Sequence, residues 1–95
     1  MSAPPPETLI KRDGESRLYA IDFANLLTTS ESLDSVTSVT PSPAGPTIAD
    51  EAISGTEVQF RVTGGTAETV YRISAIAVTD DGNTLEGIGD LEVVA

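Results

Sequence analysis

Apolar and polar residues alternate along much of the chain, most clearly between residues 57 and 63. Val58, Phe60 and Val62 share one side of an extended segment, and polar residues share the other side. This period of two predicts a half-buried β-strand. Residues 17–23 and, less cleanly, 33–40 show the same pattern, and two longer runs cover 69–79 and 84–94.

Turn-forming residues separate these runs. Gly64-Gly65 precedes the run 69–79, and Asp80-Asp81-Gly82-Asn83 joins it to the last run as a tight hairpin, in which Gly and Asn suit positive φ. The prolines between 41 and 46 cannot donate to a β-ladder, so they mark a connection or a sheet edge. The pattern predicts an all-β protein, an immunoglobulin-like or fibronectin-like β-sandwich of about six or seven antiparallel strands, with a small barrel as the alternative.

Tyr71 stands near the start of the penultimate predicted strand. A tyrosine corner occupies this position in sandwich folds, and its hydroxyl bonds back to the preceding turn. The alternation also assigns a set of side chains to the core, which are Tyr19, Ile21, Phe23, Val58, Phe60, Val62, Tyr71, Ile73, Leu91 and Val93.

The pattern divides the chain into two parts. Residues 1–16 contain Pro4-Pro5-Pro6 and a polar stretch with Gly14, and we expect them to form a flexible Pro-rich N-terminal arm and leader. Residues 17–95 are expected to form the sandwich. Lys11, the only lysine, falls in the leader, where it could not be desolvated to act as a base.

The run 69–79 breaks the expected pattern because both of its faces are apolar. Tyr71, Ile73, Ala75 and Ala77 take one face, while Ile76 and Val78 point the other way, where a lone sandwich meets water. Either the arm, with Leu9 and Ile10, covers these side chains, or a neighbouring subunit does. The interface residues predicted from this reasoning are Leu9, Ile10, Ile76 and Val78.

Composition excludes most chemistry. The 95 residues carry 15 acidic and 5 basic side chains, a formal charge of −10, and no His or Cys. Without imidazole or thiol groups the chain lacks the usual general base, a thiolate nucleophile and ligands for structural zinc. So few basic residues also argue against nucleic acid and anionic membranes as partners. We therefore expect no enzyme activity and no cofactor.

The remaining candidate sites have simpler explanations. Asp80 and Asp81, with Glu86 and Asp90 following, could supply oxygen ligands to Ca²⁺, but Gly82 stands where a second ligand of a calcium loop should be. A solvated hairpin is the preferred interpretation, and a carboxylate-dependent glycosidase is a distant alternative. Gly64-Gly65-Thr66 lacks the Lys-Ser/Thr of a phosphate loop, so it is read as a β-turn.

Two blocks of the sequence carry a resemblance to a known family. Tyr19-Ala20-Ile21-Asp22-Phe23 and Gly64-Gly65-Thr66-Ala67-Glu68-Thr69-Val70-Tyr71-Arg72-Ile73 resemble the Tyr-x-Ile-Asp-Trp and Gly-Gly-Thr-x-x-x-x-Tyr-Arg-Val blocks of small fibre-tail adaptor proteins of tailed bacteriophages. Lys11-Arg12-Asp13-Gly14-Glu15 is similar to the family's charged leader, and Gly82-Asn83-Thr84 to its Gly-Arg-Thr hairpin. Phe23 stands where the family usually has Trp, and near Ser38 no aromatic residue matches a second family Trp.

The resemblance implies a structural virion protein that joins the tail or baseplate to tail fibres or receptor-binding proteins. It implies other tail proteins as partners, a symmetric homo-oligomer in the virion, and assembly in the host cytoplasm. A capsid decoration or surface adhesion module, binding a glycan or host protein through its loops, is the alternative function.

Overall fold

The computed structural model describes residues 7–95, which form seven β-strands and one short 3₁₀ helix. The strands are β1 (Glu7–Arg12), β2 (Ser16–Asp22), β3 (Leu33–Ser42), β4 (Thr47–Ser54), β5 (Glu57–Thr63), β6 (Thr69–Thr79) and β7 (Thr84–Val94), and the helix spans Ala24–Leu26. In the described part of the chain, no helix is long and apolar enough to cross a membrane.

The strands form two sheets, ordered β1-β7-β6-β3 and β2-β5-β4. Their inner faces share one core, which draws Phe60 from the smaller sheet and Ile73 from the larger. The predicted all-β sandwich is confirmed, and its immunoglobulin-like or fibronectin-like subtype stays a prediction. Pro41 lies in β3, at a sheet edge where a missing N–H is tolerated.

The alternating pattern predicted the core well because each strand buries every second residue. All the predicted core residues are buried except Tyr19, which is half-buried, packs against the core and donates its hydroxyl proton to the Ile10 carbonyl. The core also includes Val39, Ala75 and Ala77. Gly87 and Gly89 lie buried on the inner side of β7, where Ile21 and Phe23 occupy the space that side chains would need.

Residues 7–12, predicted to belong to an arm outside the sandwich, form a strand of it instead. β1 pairs in parallel with β7, so Leu9 lies beside Leu91 and packs against the core, while Ile10 lies beside Glu92 on the other face. The 16/17 boundary therefore does not separate arm from sandwich. The rest of the predicted arm, residues 1–6, lies outside the described residues.

The expectation that Lys11 lies in a leader and is not desolvated is wrong, because its side chain is fully buried. Its ammonium donates hydrogen bonds to three main-chain carbonyls, those of Arg12 at 2.8 Å, Asp13 at 3.3 Å and Gly64 at 2.7 Å. A buried ammonium is tolerated when its donors are satisfied. Lys11 thus ties β1 to the turn that precedes β6.

The same turn is held by Tyr71, as predicted. The Thr66 N–H donates to the Tyr71 hydroxyl at 2.9 Å. Hydrogen bonding to Thr66, first through its side chain and then through this N–H, lowers the pKa of Tyr71 from its ordinary value. The ring lies against Gly45 and Gly65, where an added Cβ would come within 3.2 and 3.5 Å of Tyr71 atoms. Gly65 has φ of 96°, a conformation that other residues rarely adopt.

Candidate docking face

The solvent side of the four-stranded sheet, called here the outer face, carries an unusual number of apolar side chains. Because the odd-numbered residues Tyr71 and Ile73 point into the core, the even-numbered residues of β6 point outward. The register of the ladder places the even-numbered residues of β7 beside them. The outward residues of these two strands are Val70, Arg72, Ser74, Ile76, Val78, Thr84, Glu86, Ile88, Asp90, Glu92 and Val94.

One apolar group lies toward the β6–β7 hairpin and consists of Ile76, Val78 and Ile88, called here the apolar cluster. All three side chains are half-buried. Ile76 lies opposite Glu86, and Ile88 lies opposite Ser74. Ile88 was missed by the sequence analysis, although its place between the inward residues Gly87 and Gly89 marks it as outward-facing.

A second apolar group lies at the opposite end of the same face. Ile10 and Val70 flank Glu92 on neighbouring strands, and Val94 follows in β7. Their exposed fractions are 56%, 55% and 37%, the largest for apolar side chains on this sheet. Val70 and Val94 also line a shallow open depression.

An ion pair separates the two apolar groups. Arg72 Nε donates to Asp90 Oδ1 at 3.2 Å across β6 and β7. An exposed ion pair of this kind contributes little to stability, but it divides the outer face into two apolar areas. A second polar contact, from the Ser74 hydroxyl to Glu86, lies within the apolar cluster, because Ser74 lies opposite Ile88 and Glu86 opposite Ile76.

The four predicted interface residues do not lie together. Ile76 and Val78 are neighbours in the apolar cluster, and Ile10 lies on the same face beyond the Arg72–Asp90 pair. Leu9 points to the core side of β1, where it packs near Gly89. Since β7 lies between β1 and β6, the described part of the predicted arm does not cover Ile76 or Val78.

Negative charge concentrates at one end of the sandwich. The segments 22–35, 54–57 and 79–86 meet there, as shown by hydrogen bonds from Asp80 N–H to the Ser32 carbonyl and from Phe23 N–H to the Thr56 carbonyl. This region, called here the acidic end, carries no basic side chain. Its carboxylates are Asp22, Glu31, Asp34, Glu57, Asp80, Asp81 and Glu86.

Glu31 organises the acidic end from a nearly buried position. Its Oε2 accepts hydrogen bonds from Thr79 Oγ1 and Asn83 Nδ2, both at 2.6 Å, and its Oε1 accepts one from the Thr28 N–H at 3.1 Å. The hairpin does not use Asn83 for positive φ, which Gly82 supplies at 83°. Asn83 instead anchors the hairpin to the β2–β3 connection through Glu31.

These bonds lower the pKa of Glu31 from its ordinary value of 4.5, the bond from Thr79 being the largest cause. A lowered folded-state pKa stabilises the fold above pH 4.5, and this contribution disappears as the pH falls through the folded-state pKa. We expect Glu31→Gln to flatten the loss of stability as the pH falls below 4.5. Urea unfolding at several pH values measures this dependence, with Asp81→Asn at the exposed hairpin tip as the control. An unchanged pH profile for Glu31→Gln would contradict the assignment.

Within residues 7–95, no group of three or more Asp or Glu side chains is arranged to hold a metal ion. Asp80, a candidate ligand in the calcium hypothesis, accepts a hydrogen bond from the Ser32 N–H at 2.9 Å. It closes the loop, which agrees with the hairpin interpretation.

Comparison with known proteins identifies the family of this chain. A search of curated proteins gives no match to the chain. The model of one protein family, described as podophage GP4 fiber-tail adaptor protein gp77, matches residues 11–88. That match runs from the buried Lys11 to Ile88 of the apolar cluster. The chain therefore belongs to the podophage fibre-tail adaptor family, and it is a structural component of the virion tail.

Proposed function

We propose that this adaptor links the tail or baseplate to tail fibres or receptor-binding proteins by burying its outer face against a neighbouring tail protein. Several copies surround the tail in a symmetric arrangement after assembly in the host cytoplasm. The adaptor acts by surface burial and catalyses no reaction. Ile76, Val78 and Ile10 belong to this interface, while Leu9 supports it from the core side by holding β1 in place.

The observation that carries the proposal is the apolar cluster on the solvent side of a sheet. It occurs in a chain that belongs to an adaptor family. Ile76 and Val78 are β-branched residues that a solvated strand does not require, and Ile76 lies diagonally across the ladder from Ile88 on the next strand. Removing apolar surface from water contributes about 25 cal/mol per Å². Burial of this face therefore supplies a driving force for docking.

A pair of single variants tests the proposal. Ile76→Lys places a charge in the apolar cluster opposite Glu86, whereas Leu18→Glu places one on the smaller sheet opposite Arg61. Each new charge faces an opposite charge across its ladder, which keeps both sheets intact. Particles assembled with Ile76→Lys are expected to lack fibres, and those with Leu18→Glu to carry them. Electron microscopy of the purified particles distinguishes the two, and normal fibre content with Ile76→Lys would overturn the proposal.

A further inference from the structure

We infer that the partner surface covering the apolar cluster is apolar at its centre and carries Lys or Arg along the edge that meets the acidic end. The inference rests on the proposed function and adds the chemistry of the partner. It follows from where the charges lie relative to the apolar cluster.

The net charge of −10 is unevenly distributed. All five basic side chains, which are Lys11, Arg12, Arg17, Arg61 and Arg72, lie outside the acidic end. Arg17 and Arg61 pair with Glu15 and Asp50, and Arg72 pairs with Asp90. No cation within the acidic end balances its carboxylates, so the potential there is strongly negative.

The acidic end borders the apolar cluster directly. Glu86 lies opposite Ile76, and Val78 lies opposite Ser35, the residue after Asp34. Asp81 lies at the tip of the hairpin that follows Val78. These three carboxylates are exposed and border the hairpin end of the apolar cluster, Asp34 on the β3 side, Glu86 on the β7 side and Asp81 at the hairpin tip. A charged rim around an apolar centre is the usual anatomy of a docking surface.

The rim is held in place before any partner arrives. Glu31 joins Thr79 and Asn83 to the β2–β3 connection, and Asp80 and Ser32 exchange two hydrogen bonds. Fixed charges attract a complementary surface without an ordering cost on binding.

A second copy of this chain fits the acidic end poorly. If it packed through its own outer face, it would offer only Arg12 and Arg72 as cations, and Arg72 already pairs with Asp90 while Arg12 bonds the Ala95 carbonyl. Its own acidic end would add repulsion. A different tail protein with an apolar centre and a basic edge complements both the apolar cluster and the charged rim. Until that protein is present, the negative charge of the free adaptors keeps them apart.

Two triple variants with equal net charge test the inference. The first, Asp34→Asn, Asp81→Asn and Glu86→Gln, neutralises the rim. The second, Asp13→Asn, Asp50→Asn and Glu51→Gln, neutralises three exposed carboxylates that lie away from both the acidic end and the outer face. Each purified protein is added to tail particles assembled without the chain, at increasing salt concentrations, after urea unfolding has shown that it folds. The bound adaptor is then measured.

We expect the rim triple to bind roughly 10-fold more weakly at low salt, with a flatter salt dependence, and the control triple to stay within about 2-fold of the wild type. Equal effects of the two triples, or none, would overturn the inference and leave the proposed function standing. A wild-type protein that does not bind the particles at all would overturn the proposed function and the inference with it.

Discussion

Replacing Lys11 with Met is expected to lower the free energy of unfolding by about 3 kcal/mol, because three main-chain carbonyls each lose a hydrogen bond, although that of Arg12 keeps one from the Glu15 N–H at 3.1 Å. Met has similar length and an apolar, adaptable side chain, so the substitution removes the ammonium with little change in volume. The carbonyl of Gly64 at 2.7 Å and that of Arg12 at 2.8 Å are the closest acceptors. A buried acceptor left without a partner costs about 1–3 kcal/mol.

The effect should extend to the turn before β6. Lys11 joins β1 to Gly64, and the Tyr71 hydroxyl holds Thr66 two residues further along. Loss of the ammonium therefore weakens the packing of β1 against β7. We expect faster amide hydrogen exchange in β1 as well as a lower urea midpoint.

Arg12→Met is the matched control, because Arg12 is the adjacent basic residue and is exposed. Within residues 7–95, its side chain bonds only the Ala95 carbonyl. Its substitution should cost less than about 1 kcal/mol. Equal losses for the two variants would show that the buried hydrogen bonds of Lys11 are not what stabilises β1.

A methyl group at Gly87 is expected to destabilise the fold by about 2 kcal/mol, since it overpacks the core. A Cβ there would lie 2.8 Å from Ile21 Cγ2 and 2.9 Å from Phe23 Cζ. Both side chains are essentially inaccessible to solvent, so neither has free space into which to move. Because position 87 has no side chain, the Phe23 ring can occupy the space next to β7.

Urea unfolding of Gly87→Ala measures the cost. Gly14→Ala is the control, because a Cβ at Gly14 meets no atom within 4 Å. A double-mutant cycle with Phe23→Leu locates the strain: the smaller side chain should reduce the cost of Gly87→Ala. Strict additivity of the two substitutions would contradict a direct clash between position 87 and Phe23.

The strands that the sequence predicts best are those whose alternation is unbroken. β5, β6 and β7 match the predicted runs residue for residue. β4 has no such pattern because a bulge interrupts it. Ile48 and Ile53 both lie opposite inward residues of β5, although five positions separate them and strict alternation would place them on opposite faces. Asp50, in the interruption, has φ of 56°. A period of two cannot survive an inserted residue.

β1 escaped prediction for a different reason. Its inward positions are Leu9 and Lys11, and a lysine normally marks a solvent-facing residue. The burial of Lys11 depends on the carbonyl of Gly64, which is distant in sequence. Only the folded chain brings the ammonium and that acceptor together.

The candidate site was predictable in part. The outward direction of Ile76 and Val78 follows from the run 69–79 alone, and the structure places them as expected. Their association with Ile88 and Glu86 depends on the register between β6 and β7. The acidic end required the topology, because its carboxylates come from three separate segments of the chain.

The central claim is that the outer face of the four-stranded sheet docks onto the tail. The most direct measurement is the number of adaptor copies per particle, determined by quantitative mass spectrometry, for Ile76→Lys relative to Leu18→Glu. We expect Ile76→Lys to reduce the number of adaptor copies per particle roughly 10-fold or more, because a charge at a desolvated interface centre costs more binding free energy than a charge on an uninvolved face. Equal copy numbers for both variants, or a deficit confined to Leu18→Glu, would contradict this claim.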